Sequence, residues 1–539
     1  MNKLFLVLLA CICLGIYFGY LGNGFVFDDK VLVENNPLIK SAHLLPNVFK
    51  TGIYEYWTGR QTYDRMYRPL QMFSYYLDYN LWGLNPAGFR LSNLILHLFN
   101  SILVFYLIFF IFKDKLLAQA SSILFLVHPV QISTVAYISA RGDLLSGFFI
   151  LACCVLFFKF LDSANYGLYF LSLLAAFLAL LSRENALIII FLLSLIILAS
   201  SPGRSKFKYL IGFCVLYVVY FSIRFIALGP SGLAAHPAYL TGVPELVNFC
   251  NIALRYVLLL LWPVGLHMFH STAFIDKFSV AFLCWAMAGL LLFLLILLRQ
   301  IHKKWIWFSL FWFLLGIIPV YFCFDAYPAI GKALMAESWL YLPSIGFFTA
   351  FSYICLLYKP GKFIISICVL IFGGLVLANS VYWRNDITFY ERTAHFLTED
   401  SSVQRNLAMA YIRQGDFIGA RRTIQKLEKY YPDSPIINSL WGQYYLEKGE
   451  FAQALNYFQG ILVKSFFTNY SVSLCYSSLG DFNKAMEFSQ ASFSLNTFYL
   501  PNIIQLARLY NRIGQPAQAD KYLALAKGLD PKNKQITLK

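Results

Sequence analysis

Three features of the sequence predict an α-helical polytopic membrane protein with a C-terminal helical-repeat solenoid. Hydrophobic residues make up 59% of the 539 residues and charged residues only 13%, whereas a water-soluble domain carries about 25% charged residues. Apolar runs long enough to cross about 30 Å of hydrocarbon recur up to residue 383. Beyond Trp383 the composition becomes that of a soluble domain, and a regular spacing of glycine, alanine and tyrosine sets in. These features divide the chain into a membrane domain, residues 1–383, and a repeat domain, residues 384–539. They exclude a soluble cytosolic enzyme.

The first element runs from Lys3 into an apolar stretch ending near Tyr20. Leu8-Leu9-Ala10-Cys11 has the look of a lipoprotein cleavage site, but a mature lipoprotein turns polar after its cysteine, and here Ile12 to Tyr20 stay apolar. An uncleaved first span is the expectation. Further apolar runs lie at 92–112, 116–128, 144–161, 166–182, 186–200, 209–228, 278–298, 305–323, 340–358 and 363–382, giving eleven spans with the first. The run at 116–128 is short and borrows from its flanks. The cationic loops Lys113/Lys115, Arg204/Lys206/Lys208, Arg299/Lys303/Lys304 and Lys359/Lys362 all fall on the side of Lys3, which the positive-inside bias makes cytoplasmic. Residues 246–266 contain Arg255 and Trp262-Pro263, and as a crossing they would put Arg299–Lys304 outside. They are therefore expected as an interfacial or re-entrant helix. The N-terminus is then cytoplasmic, and residues 21–91, 129–143, 229–277, 324–339 and everything after 383 are non-cytoplasmic. Short loops lean toward a bacterial inner membrane, with the repeats periplasmic or extracellular.

The net charge of +16 does not mark a nucleic-acid binder. Residues 1–383 hold 25 Lys/Arg against 14 Asp/Glu, and residues 384–539 hold 18 against 13, so neither part is a concentrated basic patch. Ten of the 11 cysteines precede residue 384, nearly all inside apolar runs. Neither a disulfide framework nor a CxxC metal pair follows from them.

In the C-terminal part Gly415, Gly449, Gly480 and Gly514 follow one another at spacings of 34, 31 and 34. An alanine stands five residues after each (Ala420, Ala454, Ala485, Ala519), and a tyrosine four residues before each (Tyr411, Tyr445, Tyr476, Tyr510). The pattern resembles four tetratricopeptide repeats, approximately 401–434, 435–465, 466–499 and 500–533. Glycine lets the first helix of each unit end in the left-handed region, and the small alanine lets the two helices approach. Such a solenoid presents a concave face suited to a protein or peptide; a spacer or oligomer contact is the plainer alternative.

The loop after the first span opens with Phe25-Val26-Phe27-Asp28-Asp29. Two adjacent carboxylates just beyond a membrane exit are costly to desolvate unless something uses them. With Tyr67-Arg68-Pro69-Leu70, Phe89-Arg90-Leu91-Ser92-Asn93 through His97, His128-Pro129-Val130, Arg141-Gly142-Asp143-Leu144-Leu145, Leu181-Ser182-Arg183-Glu184-Asn185-Ala186, Glu337 through Tyr341-Leu342-Pro343 and the tail repeats, the chain resembles the GT-C glycosyltransferases. More closely it resembles the transmembrane-and-TPR (TMTC-like) protein O-mannosyltransferases and their bacterial relatives. The resemblance implies a GT-C-like membrane fold, a polyprenyl-phosphate-linked sugar as donor, and transfer to a hydroxyl outside the cytoplasm. Ser133 and Ser338 depart from the family's usual residues, which leaves the sugar and the acceptor class open.

An inverting transfer from a lipid phosphate needs a carboxylate to take the acceptor's proton, cations to hold the leaving phosphate, and access for the lipid. Asp28 or Asp29 fits the first role, and the resemblance favours Asp28 as base with Asp29 orienting. Arg224, Arg183 and Arg141 are the phosphate candidates. Arg224 stands inside an apolar run, where an unpaired guanidinium is costly unless it snorkels or meets an anion. Arg68, His128, Asp143, Glu184 and Glu337 are assigned to the acceptor side and the lip of the groove, with a structural histidine the alternative at His128. A phosphate leaving group needs little protonation, so no general acid is required, and no cofactor is expected; His267, His270 and Asp276 form a loose cluster where a divalent metal is the alternative. The competing readings are a non-enzymatic scaffold for envelope complexes, a transferase acting on a glycan or lipid, and a transporter of lipid-linked sugars. Few charges at the membrane midplane argue against transport.

Overall fold

The computed structural model describes residues 3–58, 66–200, 204–232, 243–273, 303–321, 332–398, 400–432, 434–533 and 536. The chain packs as two compact units. One comprises Met1–Asn23, Tyr67–Gln71 and Asn85–Trp383; the other comprises Gly24–Met66, Met72–Leu84 and Arg384–Lys539. Most of the loop after the first apolar helix is therefore part of the same unit as the C-terminal repeats.

The helices, in chain order, begin with α1 (Lys3–Leu21), α2 (Pro69–Trp82), α3 (Pro86–Phe112), α4 (Lys115–Val127), α5 (Arg141–Ser163), α6 (Tyr166–Ser182) and α7 (Ile189–Ser200). They continue with α8 (Leu210–Leu228), α9 (Val243–Leu261), α10 (Lys303–Tyr321), α11 (Pro343–Leu356) and α12 (Gly361–Asn379). Among the described residues, five helical stretches, Lys3–Leu21, Pro86–Phe112, Ile138–Ser163, Ser205–Leu228 and Gly361–Trp383, are long and apolar enough to cross a membrane. Tyr166–Ser182, Glu184–Ser200, Asn248–Leu261, Trp305–Pro319 and Pro343–Leu356 are shorter apolar helices. The expected span at 278–298 lies outside the described residues.

Local chemistry explains the short connections. Lys113 closes α3 in the left-handed region, and the Asp114 side chain accepts from Leu117 N–H at 3.0 Å to open α4. Ala164 and Asn165 make the same kind of turn between α5 and α6, with Asn165 Oδ1 2.9 Å from Gly167 N. The short run at 116–128 continues past a 52° bend into Pro129–Val135. Pro129 lacks an N–H and forces the residue before it out of helical geometry; His128 sits at φ −69°, ψ 132°. The sequence from 246 is helical to Leu261 and stops before Trp262-Pro263. One element has no counterpart in an all-helical expectation: β1 (Phe269–Ala273) pairs antiparallel with β2 (Lys332–Ala336), Phe269 opposite Ala336.

In the other unit α13 (Asp386–Phe396) precedes four helix pairs: α14 (Ser401–Gln414) with α15 (Phe417–Tyr430), α16 (Pro435–Glu447) with α17 (Phe451–Gln459), α18 (Phe466–Ser478) with α19 (Phe482–Leu495), and α20 (Leu500–Arg512) with α21 (Pro516–Leu529). The four periodic glycines sit at φ between +75° and +86°, and the four periodic alanines are fully buried. Tyr445 stacks on Tyr457, Tyr476 on Phe488 and Tyr510 on Tyr522, so these tyrosines fill the space between paired helices. The first helices of consecutive pairs pack side by side, α14 on α16, α16 on α18 and α18 on α20. They form the inner layer of the array.

Candidate functional site

In the membrane unit the motif segments meet in a buried hydrogen-bond network. Arg90 Nε donates to the Ala136 carbonyl at 2.9 Å, and another of its nitrogens donates to that of Asn23. Asn93 Nδ2 donates to the Val135 and Tyr137 carbonyls at 3.2 and 3.3 Å. His97 bridges the Tyr341 hydroxyl at 2.9 Å and the Leu126 carbonyl at 3.1 Å. Buried polar groups of this kind fix backbone position because leaving any of them unpaired is costly. Arg141 belongs to this network: it is buried and donates to Asn93 Oδ1 and, at 2.7 Å, to the Phe89 carbonyl. His128 is fully buried as well. Its Nδ1 accepts from Val130 N–H at 3.2 Å, so Nε2 carries the proton that it donates to the Leu260 carbonyl at 3.1 Å.

A second group in this unit is more open. Arg68 Nε donates to Glu184 Oε2 at 2.9 Å. Arg183 caps the end of α6 in an extended conformation and pairs with Asp143 in the first turn of α5, where the helix dipole favours a carboxylate. Arg224 is half-buried on α8 and donates to the Tyr220 hydroxyl at 3.2 Å. The charges of Arg68, Arg224 and Arg183 all bear on the Glu184 carboxylate, and those of Arg183, Arg68 and Glu184 on Asp143. Among the described residues this cluster gathers three guanidinium groups around two carboxylates. Glu184 Oε1 is buried with no hydrogen-bond partner among them.

Glu337 stands in a third setting, 2% exposed. It accepts from the His267 backbone N–H and from His270 Nε2, both at 2.8 Å, and the two imidazole centroids lie 3.9 Å apart with the rings tilted by 44°. Asp276, the third residue of the loose cluster, lies outside the described residues.

The acidic pair lies in the other unit. Asp29 is fully buried and its carboxylate accepts from Val26 N–H at 3.3 Å. Asp28 is half-buried, and its Oδ2 accepts from the Tyr54 hydroxyl at 2.9 Å. The turn that presents them is strained: Phe27 has φ +51°, a region that costs an ordinary side chain about 1–2 kcal/mol. Asp386 clamps it. One of its oxygens accepts from Phe27 N–H at 3.2 Å and the other pairs with Lys30, while the Phe27 ring stacks on Phe389 and meets Tyr390 edge-on. Further along, Asn496 Nδ2 donates to the Tyr56 and Trp57 carbonyls, and Lys40 and Tyr79 both donate to Asp530.

Sequence reading brought the two aspartates forward and missed what holds them. Asn385 and Thr388 form a capping box at the start of α13, a signal legible in the sequence that points to Asp386 as an ordered first-turn acid. Tyr54, Asn496 and the pairing of Arg68 with Glu184 have no local signature.

Tetratricopeptide repeat families match residues 403–434 and 501–533. A Caenorhabditis elegans protein O-mannosyl-transferase, F38B6.6, is 26% identical over 450 residues, covering 80% of this chain and 62% of its own length. Protein O-mannosyl-transferase TMTC1 of Homo sapiens is 30% identical over 210 residues, 39% of this chain and 22% of its own. Protein O-mannosyl-transferase TMTC3 of Mus musculus is 28% identical over 152 residues, 28% of this chain and 16% of its own. The chain thus spans less than two thirds of the length of each of these relatives. It is a helical membrane protein with C-terminal tetratricopeptide repeats, similar over most of its length to the TMTC-like protein O-mannosyl-transferases.

Proposed function

We propose that the protein is a GT-C-type glycosyltransferase that moves a sugar, mannose by analogy with its relatives, from a polyprenyl-phosphate carrier to a protein Ser/Thr hydroxyl. The reaction takes place on the non-cytoplasmic face, with Lys3 and the cationic loops inside and residues 384–539 outside. Asp28 takes the proton of the acceptor hydroxyl as its oxygen attacks the anomeric carbon. The bond from that carbon to the phosphate oxygen breaks, and its electron pair leaves with the phosphate. A single displacement inverts the anomeric configuration. Arg224, Arg183 and Arg68 stabilise the charge that grows on the phosphate. Glu184 Oε1 is suited to accept a hydrogen bond from a sugar hydroxyl. Arg141 and His128, bound up in internal hydrogen bonds, take the role of scaffold residues.

The observation that carries this reading is the contrast within the acidic pair: one carboxylate reachable and held by a tyrosine hydroxyl, its neighbour sealed against backbone. A reachable base beside a buried orienting carboxylate is what proton abstraction requires, and a scaffold has no use for it. The test is transfer from a defined lipid-linked sugar. Asp28→Asn should lower the rate by about 10²–10⁴-fold while donor binding persists, and Asp29→Asn should act through folding of the turn. Full transfer by Asp28→Asn would favour the scaffold.

A further inference from the structure

The inner layer of the repeat array carries a run of cations that the transfer chemistry does not use. Arg405 and Arg413 lie eight residues apart on α14, and Arg508 lies on α20. All three are exposed, and none has a carboxylate partner among the described residues. They stand among tyrosines. Burial pushes the Tyr390 hydroxyl well above its usual range, Asp386 and Asp28 push it further, and Arg413 and Arg405 pull the other way. Arg413 acts in the same sense on Tyr499, which burial and Tyr470 raise. Tyr470 is pushed up to about 12 by burial, with Arg508 opposing and Glu447 adding to it. Tyr470 and Tyr499 meet edge-on at 5.3 Å, and Trp57 packs against Tyr499 and Phe466. Trp57 follows Tyr54, whose hydroxyl is on Asp28. The charges of Arg405 and Arg413 thus bear on Tyr390, as does that of Asp28, and those of Arg413 and Arg508 bear on the Tyr499–Tyr470 pair against which Trp57 packs.

We propose that this inner face binds an extended acidic polypeptide segment, its carboxylates read by Arg405, Arg413 and Arg508, and offers a hydroxyl beside them to Asp28. The inference rests on the transferase reading for its last step and names the acceptor class: Ser or Thr flanked by Asp or Glu. Guanidinium groups suit carboxylates because their paired donors match both oxygens. Tyr470 and Tyr499, both partly exposed, suit an extended backbone, since each offers an apolar ring and a hydroxyl at little cost in conformational entropy. Glu447 also acts on Tyr470, and its like charge steers the peptide's carboxylates away from that point and toward the arginines; a basic peptide would meet three guanidinium groups of its own sign.

The experiment uses the full chain in nanodiscs, without donor lipid, and two fluorescent peptides that share a central Ser-Thr. One carries Asp and Glu on both sides; in the other these are Asn and Gln. Polarisation should show the acidic peptide binding more tightly, with an advantage that shrinks as salt rises. Arg413→Glu and Arg508→Glu should each weaken it by about two- to fivefold, the range of an exposed ion pair, and Arg421→Glu on the outer helix α15 should not. Equal binding of the two peptides overturns the proposal, as does an equal loss in Arg421→Glu. So does displacement of the acidic peptide by anionic lipid vesicles, which would make the surface a lipid contact. Because no sugar is transferred, charge preference is read whether or not the transferase reading holds. Binding of the acidic peptide with no transfer to it from any lipid-linked sugar would sink that reading and leave the docking surface standing.

Discussion

Replacing Asp386 tests whether the acidic turn is held in place or merely happens to be there. Its carboxylate is 6% exposed, accepts from Phe27 N–H at 3.2 Å and pairs with Lys30. Phe27 at φ +51° carries a conformational cost of about 1–2 kcal/mol. Against that cost stand the ring contacts with Phe389 and Tyr390, at 6.2 and 6.3 Å, each worth about 0.5–1.5 kcal/mol. The charge-assisted hydrogen bond adds about 1.5–3 kcal/mol. The ring contacts roughly cancel the strain, so the hydrogen bond decides whether the turn is populated. Asp386→Ala should raise the opening of this segment by the value of that bond, about tenfold to a hundredfold at one decade per 1.4 kcal/mol. Hydrogen exchange reads it directly in a peptide covering Gly24–Glu34, where Asp29 N–H bonds to Val26 and Leu32 N–H to Asp28. Asp386→Asn keeps an acceptor for Phe27 and should lie between. Adding Phe27→Gly to Asp386→Ala removes the left-handed penalty and the ring contacts together, so exchange should stay about where Asp386→Ala puts it. The reasoning fails if Asp386→Ala leaves that peptide as protected as before, or if residues 435–460 open equally with it.

Three further outcomes are expected. Asp530→Ala strands Lys40, only 7% exposed, and should destabilise the repeat unit by about 3–5 kcal/mol, whereas Lys40→Met with Asp530→Leu should be nearly neutral; equal melting points for the two variants would refute the pair's role. For topology, a cysteine at Leu462, fully exposed, should react with an impermeant maleimide from outside and one at Ser205 should not, in a background with the exposed Cys11 and Cys214 changed to Ser. The native Cys475 should stay silent, because burial pushes its thiol up to about 12; labelling at Ser205 alone reverses the orientation. Arg224→Ala should weaken donor-lipid binding and Arg224→Lys restore it in part, since lysine offers a point charge in place of a planar fork; unchanged donor affinity returns Arg224 to snorkelling.

What was legible in the sequence is what local physics dictates. Gly415, Gly449, Gly480 and Gly514 announce their left-handed caps because no other residue adopts them as cheaply, and the alanines five residues later are fully buried between the paired helices. Runs such as 4–20 and 92–112 announce helices through composition alone. Long-range pairing was not legible. Arg68 finds Glu184 across 116 residues, and Lys40 finds Asp530 across 490; neither partner differs locally from a solvated charge. The β1–β2 pairing escaped for the same reason, since its strands are separated by some 60 residues and carry no alternation strong enough to stand out from apolar surroundings.

The packing of the loop residues changes what the repeats can be asked to do. A peptide-gathering domain attached by a tether could be deleted, leaving the chemistry intact and costing only affinity for large acceptors. Here Gly24–Met66 shares a compact unit with residues 384–539, and its contacts are specific: Phe27 and Lys30 on Asp386, Tyr56 and Trp57 on Asn496, Lys40 on Asp530. Removing residues 401–539 would take away Asn496 and Asp530, expose Trp57, and leave a buried lysine without its counter-ion. The truncated chain would lose the support of the segment that carries Asp28, so its failure to transfer would say nothing about acceptor capture. Point changes on the inner helices, which leave these contacts alone, are the cleaner separation. Arg413→Glu should affect large acidic acceptors and spare a small hydroxyl acceptor, whereas Asp386→Ala should affect both alike. If Arg413→Glu slowed both to the same degree, the repeats would be acting through the turn and not through the acceptor.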